Sequence, residues 1–120
     1  MGYIEALDKY IEATNSHDFN NVKAVLHPQA LYWFTDQNCI SNEQIGSYFM
    51  NSWNTIKEEV YSATDVQWIA ASDQVATCIY TYHYEGYYLG EFVSGSGRAT
   101  NVFTLHDGEW RLIHEHLSRL

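Results

Sequence analysis

Apolar residues near the start of the chain recur at helical intervals. Ile4, Leu7, Ile11 and Thr14 fall three and four apart, Tyr3 and Tyr10 widen the stripe, and the spacing predicts an amphipathic helix over roughly residues 2–15. Asn15-Ser16-His17-Asp18 interrupts it. Asp18 suits the N-cap of a second short helix carrying Phe19, Val22, Val25 and Leu26, which Pro28 prevents from continuing. Ala30-Leu31-Tyr32-Trp33-Phe34 reads as a short aromatic strand. Ser41 followed three positions later by Gln44 has the form of a capping box, and Ile45, Phe49, Ser52 and Ile56, flanked by Tyr48 and Trp53, define a third helical face.

From Glu59 the period changes to two. Val60–Ile69 and Gln74–Tyr84 read as long antiparallel neighbours joined by the turn-prone Ala71-Ser72-Asp73. Ala76, Cys78, Tyr80 and Tyr82 share one side of the second strand, and Val75, Ile79, Thr81 and His83 the other. Neither side is clearly polar, so a central strand is expected, covered by helices on one face and by another subunit on the other. Residues 85–97 hold four of the seven glycines and read as a loop or irregular hairpin, the most mobile part of the chain. Asp107-Gly108 then predicts a tight turn between two strand-like arms. On the second arm, strict alternation puts Trp110, Leu112, His114 and His116 on one face and turns Glu115 to the other. Helices followed by antiparallel strands predict an α+β fold, with helices covering one face of a bent sheet.

Composition narrows the partners. The 120 residues, 46% apolar, suit a single domain spanning residues 1–120. A formal charge of −9, from 15 acidic residues against 6 Lys and Arg, argues against nucleic acid and anionic membrane surfaces. Cys39 and Cys78 lack metal or redox spacing and read as buried thiols in a reducing cytoplasm. The first residues have neither a basic flank nor a long apolar run, so neither a signal peptide nor a membrane span is expected.

Several segments together carry a family likeness. They are the first helix leading into Asn15-Ser16-His17-Asp18-Phe19, then Leu26-His27-Pro28-Gln29-Ala30-Leu31-Tyr32, and above all residues 97–103 followed by 107–118. The chain resembles the nuclear transport factor 2-like superfamily and, within it, the SnoaL-like group. Its last segment is also similar to the association domain of calcium/calmodulin-dependent protein kinase II. The resemblance implies a cone of the NTF2-like or cystatin-like type, in which a strongly curved sheet wraps a long helix and leaves a pocket at the wide end. It leaves the activity open, since ketosteroid isomerases, polyketide cyclases, dehydratases, transport adaptors and oligomerisation domains share the fold.

Candidate chemistry follows from placing residues on that cone. His114 and His116, about 7 Å apart along a strand, serve better as pocket hydrogen-bonding groups than as metal ligands, because no third ligand is evident. Neither metal nor cofactor is expected. Arg98 offers a fork for a carboxylate if it faces the cavity, and Asn101, of opposite parity, is the polar alternative. Tyr32, Trp53 and Tyr80 are the aromatic residues expected to line the pocket. Asp36 lies near where the isomerases of this superfamily carry their base; the last strand, where the cyclases carry a carboxylate, offers His114 or His116 instead. Two functions compete. One is a small-molecule-binding protein, with isomerase, cyclase or hydrolase chemistry on a small organic ligand as its enzymatic form and a carboxylate as one group that ligand can bear; the other is a non-catalytic association module, and a homodimer is compatible with both.

Overall fold

The computed structural model describes residues 2–120. Helix α1 spans Tyr3–Asn15, α2 Phe19–Ala24 and α3 Asn42–Thr55; the strands are β1 Leu26–Trp33, β2 Asn38–Cys39, β3 Lys57–Ala71, β4 Val75–Tyr88, β5 Glu91–His106 and β6 Glu109–Arg119. The strands form one open sheet in the order β2-β1-β6-β5-β4-β3. Only β1 and β6 run parallel; the other neighbours are antiparallel. The α+β expectation holds, with all three helices packed on the concave side of a curved sheet.

Local signals account for the helix starts. Asp18 Oδ1 accepts from the Asn20 amide at 2.9 Å, and Ser41 Oγ from the Gln44 amide at 3.2 Å. Gln44 reaches back one residue further than a strict capping box requires, accepting from the Ile40 amide. The buried stripe of α1 is Ala6, Leu7, Tyr10, Ala13 and Thr14. This is rotated from the expected one, leaving Ile4 exposed, because two alanines let the helix approach the sheet closely. Asn15 then clamps the end of α1 to β3: its amide donates to the Tyr61 carbonyl at 2.9 Å, and its oxygen accepts from the Tyr61 amide at 2.7 Å.

Three departures from simple alternation shape the sheet. β1 begins at Leu26, earlier than expected, and holds Pro28 where its register to β6 shifts between Leu26 and Leu31, an irregularity at which a missing N–H costs no ladder bond. β3 shifts register three times against β4, with Glu58 and Asp65 at positive φ. β6 carries one extra residue: Val102 pairs with His114 but Phe103 with Leu112, leaving Ile113 as a bulge. Bulges bend strands and increase their twist, which curves a long sheet around its helices.

The glycine-rich stretch, expected as a loop or irregular hairpin, is a hairpin with unbroken register. Tyr88 pairs with Glu91 across Leu89-Gly90, both at positive φ, as are Asp107 and Gly108 in the following turn. Gly95 and Gly97 lie under the Tyr84 and Tyr82 rings, which fill the room a side chain would take. A Cβ on Gly97 would meet the Tyr82 ring and the Ser118 carbonyl, and the latter cannot swing aside. Gly97→Ala should therefore cost about 1–3 kcal/mol through overpacking, measured as a lowered midpoint in urea; an unchanged midpoint would show that the β5–β6 pair yields freely there.

Candidate functional site

The sheet's curvature leaves a cavity of about 460 Å³ between α1, α3 and the inner sheet face. Helix α1 contributes Tyr10 and Thr14, and α3 contributes Tyr48, Phe49, Asn51, Ser52 and Thr55. The turn after β1 supplies residues 34–37; Ile56 caps the end of α3, Glu59 and Tyr61 enter from the start of β3, Tyr82 and Tyr84 from β4, and Glu115 and Leu117 from β6. Apart from its carboxyl, hydroxyl and amide tips, the wall is apolar: mostly aromatic rings, with Ile56 and Leu117.

Glu115 organises the cavity floor, only 2% exposed. The Tyr32 hydroxyl donates to Tyr10 Oη at 2.9 Å, and Tyr10 donates in turn to Glu115 Oε2 at 3.2 Å. With its amide oriented to satisfy both neighbours, Asn101 donates to Glu115 Oε1 at 3.2 Å and to the Thr100 carbonyl at 3.0 Å, and accepts from the Tyr80 hydroxyl at 3.3 Å. Tyr80 lies 3.0 Å from the Tyr61 hydroxyl. Burial pushes the Glu115 carboxyl up to about 8, against the hydrogen bond from Tyr10, which favours the ionised form. At neutral pH it keeps its proton, an O–H donor at the floor of an aromatic hollow. The same burial, with the Glu115 carboxyl next in weight, drives the Tyr10 and Tyr80 hydroxyls well above the ordinary tyrosine range.

Two further carboxyls line the cavity. Glu59, half-buried, is held up at about 7 by burial alone. Its backbone is fixed by His17, whose Nε2–H donates to the Glu59 carbonyl at 2.8 Å. Asp36 is exposed on the turn after β1 and accepts from the Tyr48 hydroxyl at 2.7 Å, while the Tyr48 ring stacks on Phe34 at 3.6 Å. Thr14, 95% buried on α1, has a hydroxyl with no protein partner.

The residues expected to form the site are divided between the two faces of the sheet. Asn101 faces inward, and Arg98, of opposite parity, is exposed on the outer face opposite Thr81 and Ser118. Tyr32 and Tyr80 are buried one hydrogen bond behind the cavity wall, and Trp53 packs on Phe49 and stacks on His17 at 5.4 Å. The shared face of Trp110, Leu112, His114 and His116 is a correction: the Ile113 bulge reverses the phase, so Leu112 and Glu115 point inward and the two histidines outward. There His114 donates through Nδ1–H to the Leu31 carbonyl at 2.7 Å, and both imidazoles meet the Trp33 ring edge-on at 5.3 and 5.4 Å. Among the described residues, no three His, Cys, Asp or Glu side chains are grouped to hold a metal ion. No described helix is long and apolar enough to cross a membrane.

Tyr10, Thr14, Glu59 and Glu115 are the residues that alternation alone did not reveal. Counting back from apolar Leu117 gives Glu115 on its face, whereas counting forward from Leu112 gives His114. The two phases are incompatible, and that conflict is itself the mark of a bulge.

Comparison with known proteins agrees with this architecture. The family described as the SnoaL-like domain matches residues 4–120, and the chain belongs to it. No curated protein matches. Among solved structures, an NTF2-like superfamily protein from Salmonella enterica serovar Typhimurium is similar at a TM-score of 0.87 and 15% identity, over 96% of this chain and 86% of that one. The calcium/calmodulin-dependent protein kinase II association domain of C. elegans gives 0.78 and 14%, over 97% and 92%. An NTF2-like protein from Streptomyces avermitilis, provisionally named a dehydratase, gives 0.83 and 17%, over 96% and 91%. Likeness at these identities establishes the fold alone.

The raised Glu115 carboxyl makes stability pH-dependent. Its folded value, about 8, lies above the ordinary 4.5, so the native state holds the proton more tightly than the unfolded chain. The stabilisation is complete below about 4.5 and is lost as pH rises through 8. At about 1.4 kcal/mol per pKa unit, the loss reaches a few kcal/mol. Glu115→Gln, neutral throughout, should remove that slope between pH 5 and 8 in denaturant titrations. Glu59 retains its smaller slope of the same sign in both proteins, and partly exposed His27, lowered from 6.5, acts oppositely in both, so the difference isolates Glu115. Parallel pH profiles would show that Glu115 is ionised in the fold.

Proposed function

We propose that this SnoaL-like domain binds a small ring-bearing organic molecule in the aromatic cavity, with a carbonyl or hydroxyl oxygen of the ligand meeting the Glu115 carboxyl. One observation carries the reading: a buried carboxyl, Glu115, 2% exposed and raised by that burial, lies at the floor of a hollow walled mostly by aromatic rings. Such rings accept planar ligands, and one fixed polar tip sets their orientation. Tyr10 and Asn101 already occupy one acceptor site on each Glu115 oxygen, which leaves the carboxyl proton for an oxygen in the cavity.

The arrangement suits proton transfer next to a carbonyl. Asp36, exposed on the rim, takes the α-proton; the C–H electron pair moves into the enolate, and the Glu115 O–H donates to the oxygen on which the negative charge grows. The proton on Asp36 then returns to carbon or passes to water. Isomerase and cyclase chemistries both contain this step, and the dehydratase name given to the Streptomyces avermitilis neighbour is compatible with it.

A second observation supports self-association. Leu31 and Trp33 stand 45% and 47% exposed on the outer face of β1, beside His114 and His116. A second copy covering this face as a homodimer would remove that apolar area from water.

Binding and turnover are tested together. Cyclic ketones and small phenols should raise the melting temperature, since a ligand of the native state stabilises it, and Ser52→Phe, which puts a ring into the cavity, should abolish the shift. In deuterated water the protein should accelerate exchange of the ketone α-hydrogens, and Glu115→Gln should lower that rate roughly a hundredfold. If no neutral ring compound shifts the melting curve, the cavity reading fails. For the outer face, Trp33→Asp should convert a sedimenting dimer to monomer; a wild-type protein that sediments as monomer at high concentration would remove this reading.

A further inference from the structure

The polar inventory of the cavity is one-sided. Asp36, Glu59 and Glu115 line it, and no lining residue is Lys, Arg or His. Arg119 is near enough for its charge to act on Tyr82, but it is exposed and outside the lining. Arg98, the residue expected from the sequence to offer a fork for a carboxylate, is on the opposite face of the sheet. An anionic ligand would enter a hollow with up to three carboxyls, at a desolvation cost that no cationic side chain in the wall repays.

A second, independent feature points the same way. Thr14 lines the same cavity, is 95% buried, and its hydroxyl has no protein partner. Buried hydroxyls are ordinarily paired, so an unpaired one inside a cavity marks a place where the occupant brings the missing group. Glu59 has the same need, because no protein donor or cation offsets its burial. An ammonium supplies three donors and no acceptor, and it is also attracted to the faces of tyrosine rings such as Tyr61 and Tyr82.

We infer that the ligand is a ring compound bearing a primary amine, its ring among the cavity tyrosines, its ammonium on Glu59 with Thr14 accepting, and Asp36 adding to the negative field. This inference rests on the reading that the cavity holds a ring-bearing ligand, and it names the class. The oxygen-bearing end of such a molecule meets Glu115, and the cationic end stays toward the half-buried carboxylate.

Three probes that differ only at one end separate the two readings: tyramine, tyrosol and 3-(4-hydroxyphenyl)propionate, titrated calorimetrically at neutral pH. Tyramine should bind roughly tenfold more tightly than tyrosol, and the propionate should not bind over the same range. In Glu59→Gln the tyramine preference over tyrosol should collapse, while Glu59→Asp should retain part of it. Tyrosol or the propionate binding as tightly as tyramine would overturn the amine assignment and leave the cavity reading standing. A preference that survives Glu59→Gln unchanged would overturn the role of Glu59. If none of the three binds, the cavity reading falls and this inference with it.

Discussion

A carboxyl group buried 2% exposed among aromatic and aliphatic side chains must either find donors or give up its charge, and Glu115 does both. Tyr10 from α1 and Asn101 from β5 each donate to one of its oxygens, with Tyr32 behind the first and Tyr80 and Tyr61 behind the second. Five elements therefore converge on a single side chain of β6: α1, β1, β3, β4 and β5. A chain of buried hydrogen bonds is worth having only when every member is satisfied, and here the demand fixes how α1 sits on the sheet. The two alanines of α1 allow the approach, and the double bond between Asn15 and the Tyr61 backbone sets its end.

The hollow above that carboxyl exists because the sheet bends away from the helices. Long regular strands would lie flat and let the aromatic rings of α3 close onto β4. Register shifts in β1, β3 and β6 curve the sheet instead, and the rings of Tyr82 and Tyr84 lie over Gly97 and Gly95, which leaves the space between helix and sheet open. The Ile113 bulge has a second effect. By reversing the phase of β6 it sends Leu112 to the core and Glu115 to the cavity, and gives His114 and His116 to the outer face beside Trp33. One strand thus serves an interior site and an exterior surface that do not compete for the same side chains.

Much of this frame could be read before any coordinates. Asp18, the Ser41 and Gln44 pair and the Asp107-Gly108 turn act through neighbours a few residues away, so their sequence signatures are local and dependable. The family resemblance likewise anticipated the sheet and its helices. The site was less legible because it depends on which way side chains point, and a single inserted residue reverses that. Trp110 and Leu112 set one phase and Leu117 the other; only the bulge reconciles them. Residues 85–97 misled for a related reason: a glycine usually signals a loop, but opposite a cross-strand ring it leaves room for that ring, and the partner is distant in sequence. Tyr10 looked like the margin of an apolar stripe because nothing within α1 shows that its hydroxyl has a carboxyl to meet 105 residues later.

The charge balance gains meaning once the inner and outer faces are separated. A net charge of −9 over 120 residues could be only a solvating surface, and most of the acidic side chains do lie in water. Three of the 15 acidic residues line the cavity instead, in graded environments: exposed at Asp36, half-buried at Glu59 and sealed at Glu115. A carboxyl in contact with water costs little, but each step inward makes an unpaired negative charge dearer, and the fold offers no cation there in return. The acidic surface attracts cations toward the protein, half-buried Glu59 is raised by burial with no cation beside it, and burial favours the protonated form of Glu115 at the floor. The proposed amine ligand fits an interior arranged in that order, with its positive end toward Glu59 and its oxygen toward Glu115, and Arg98, which could have held a carboxylate had it faced the cavity, lies on the other face of the sheet.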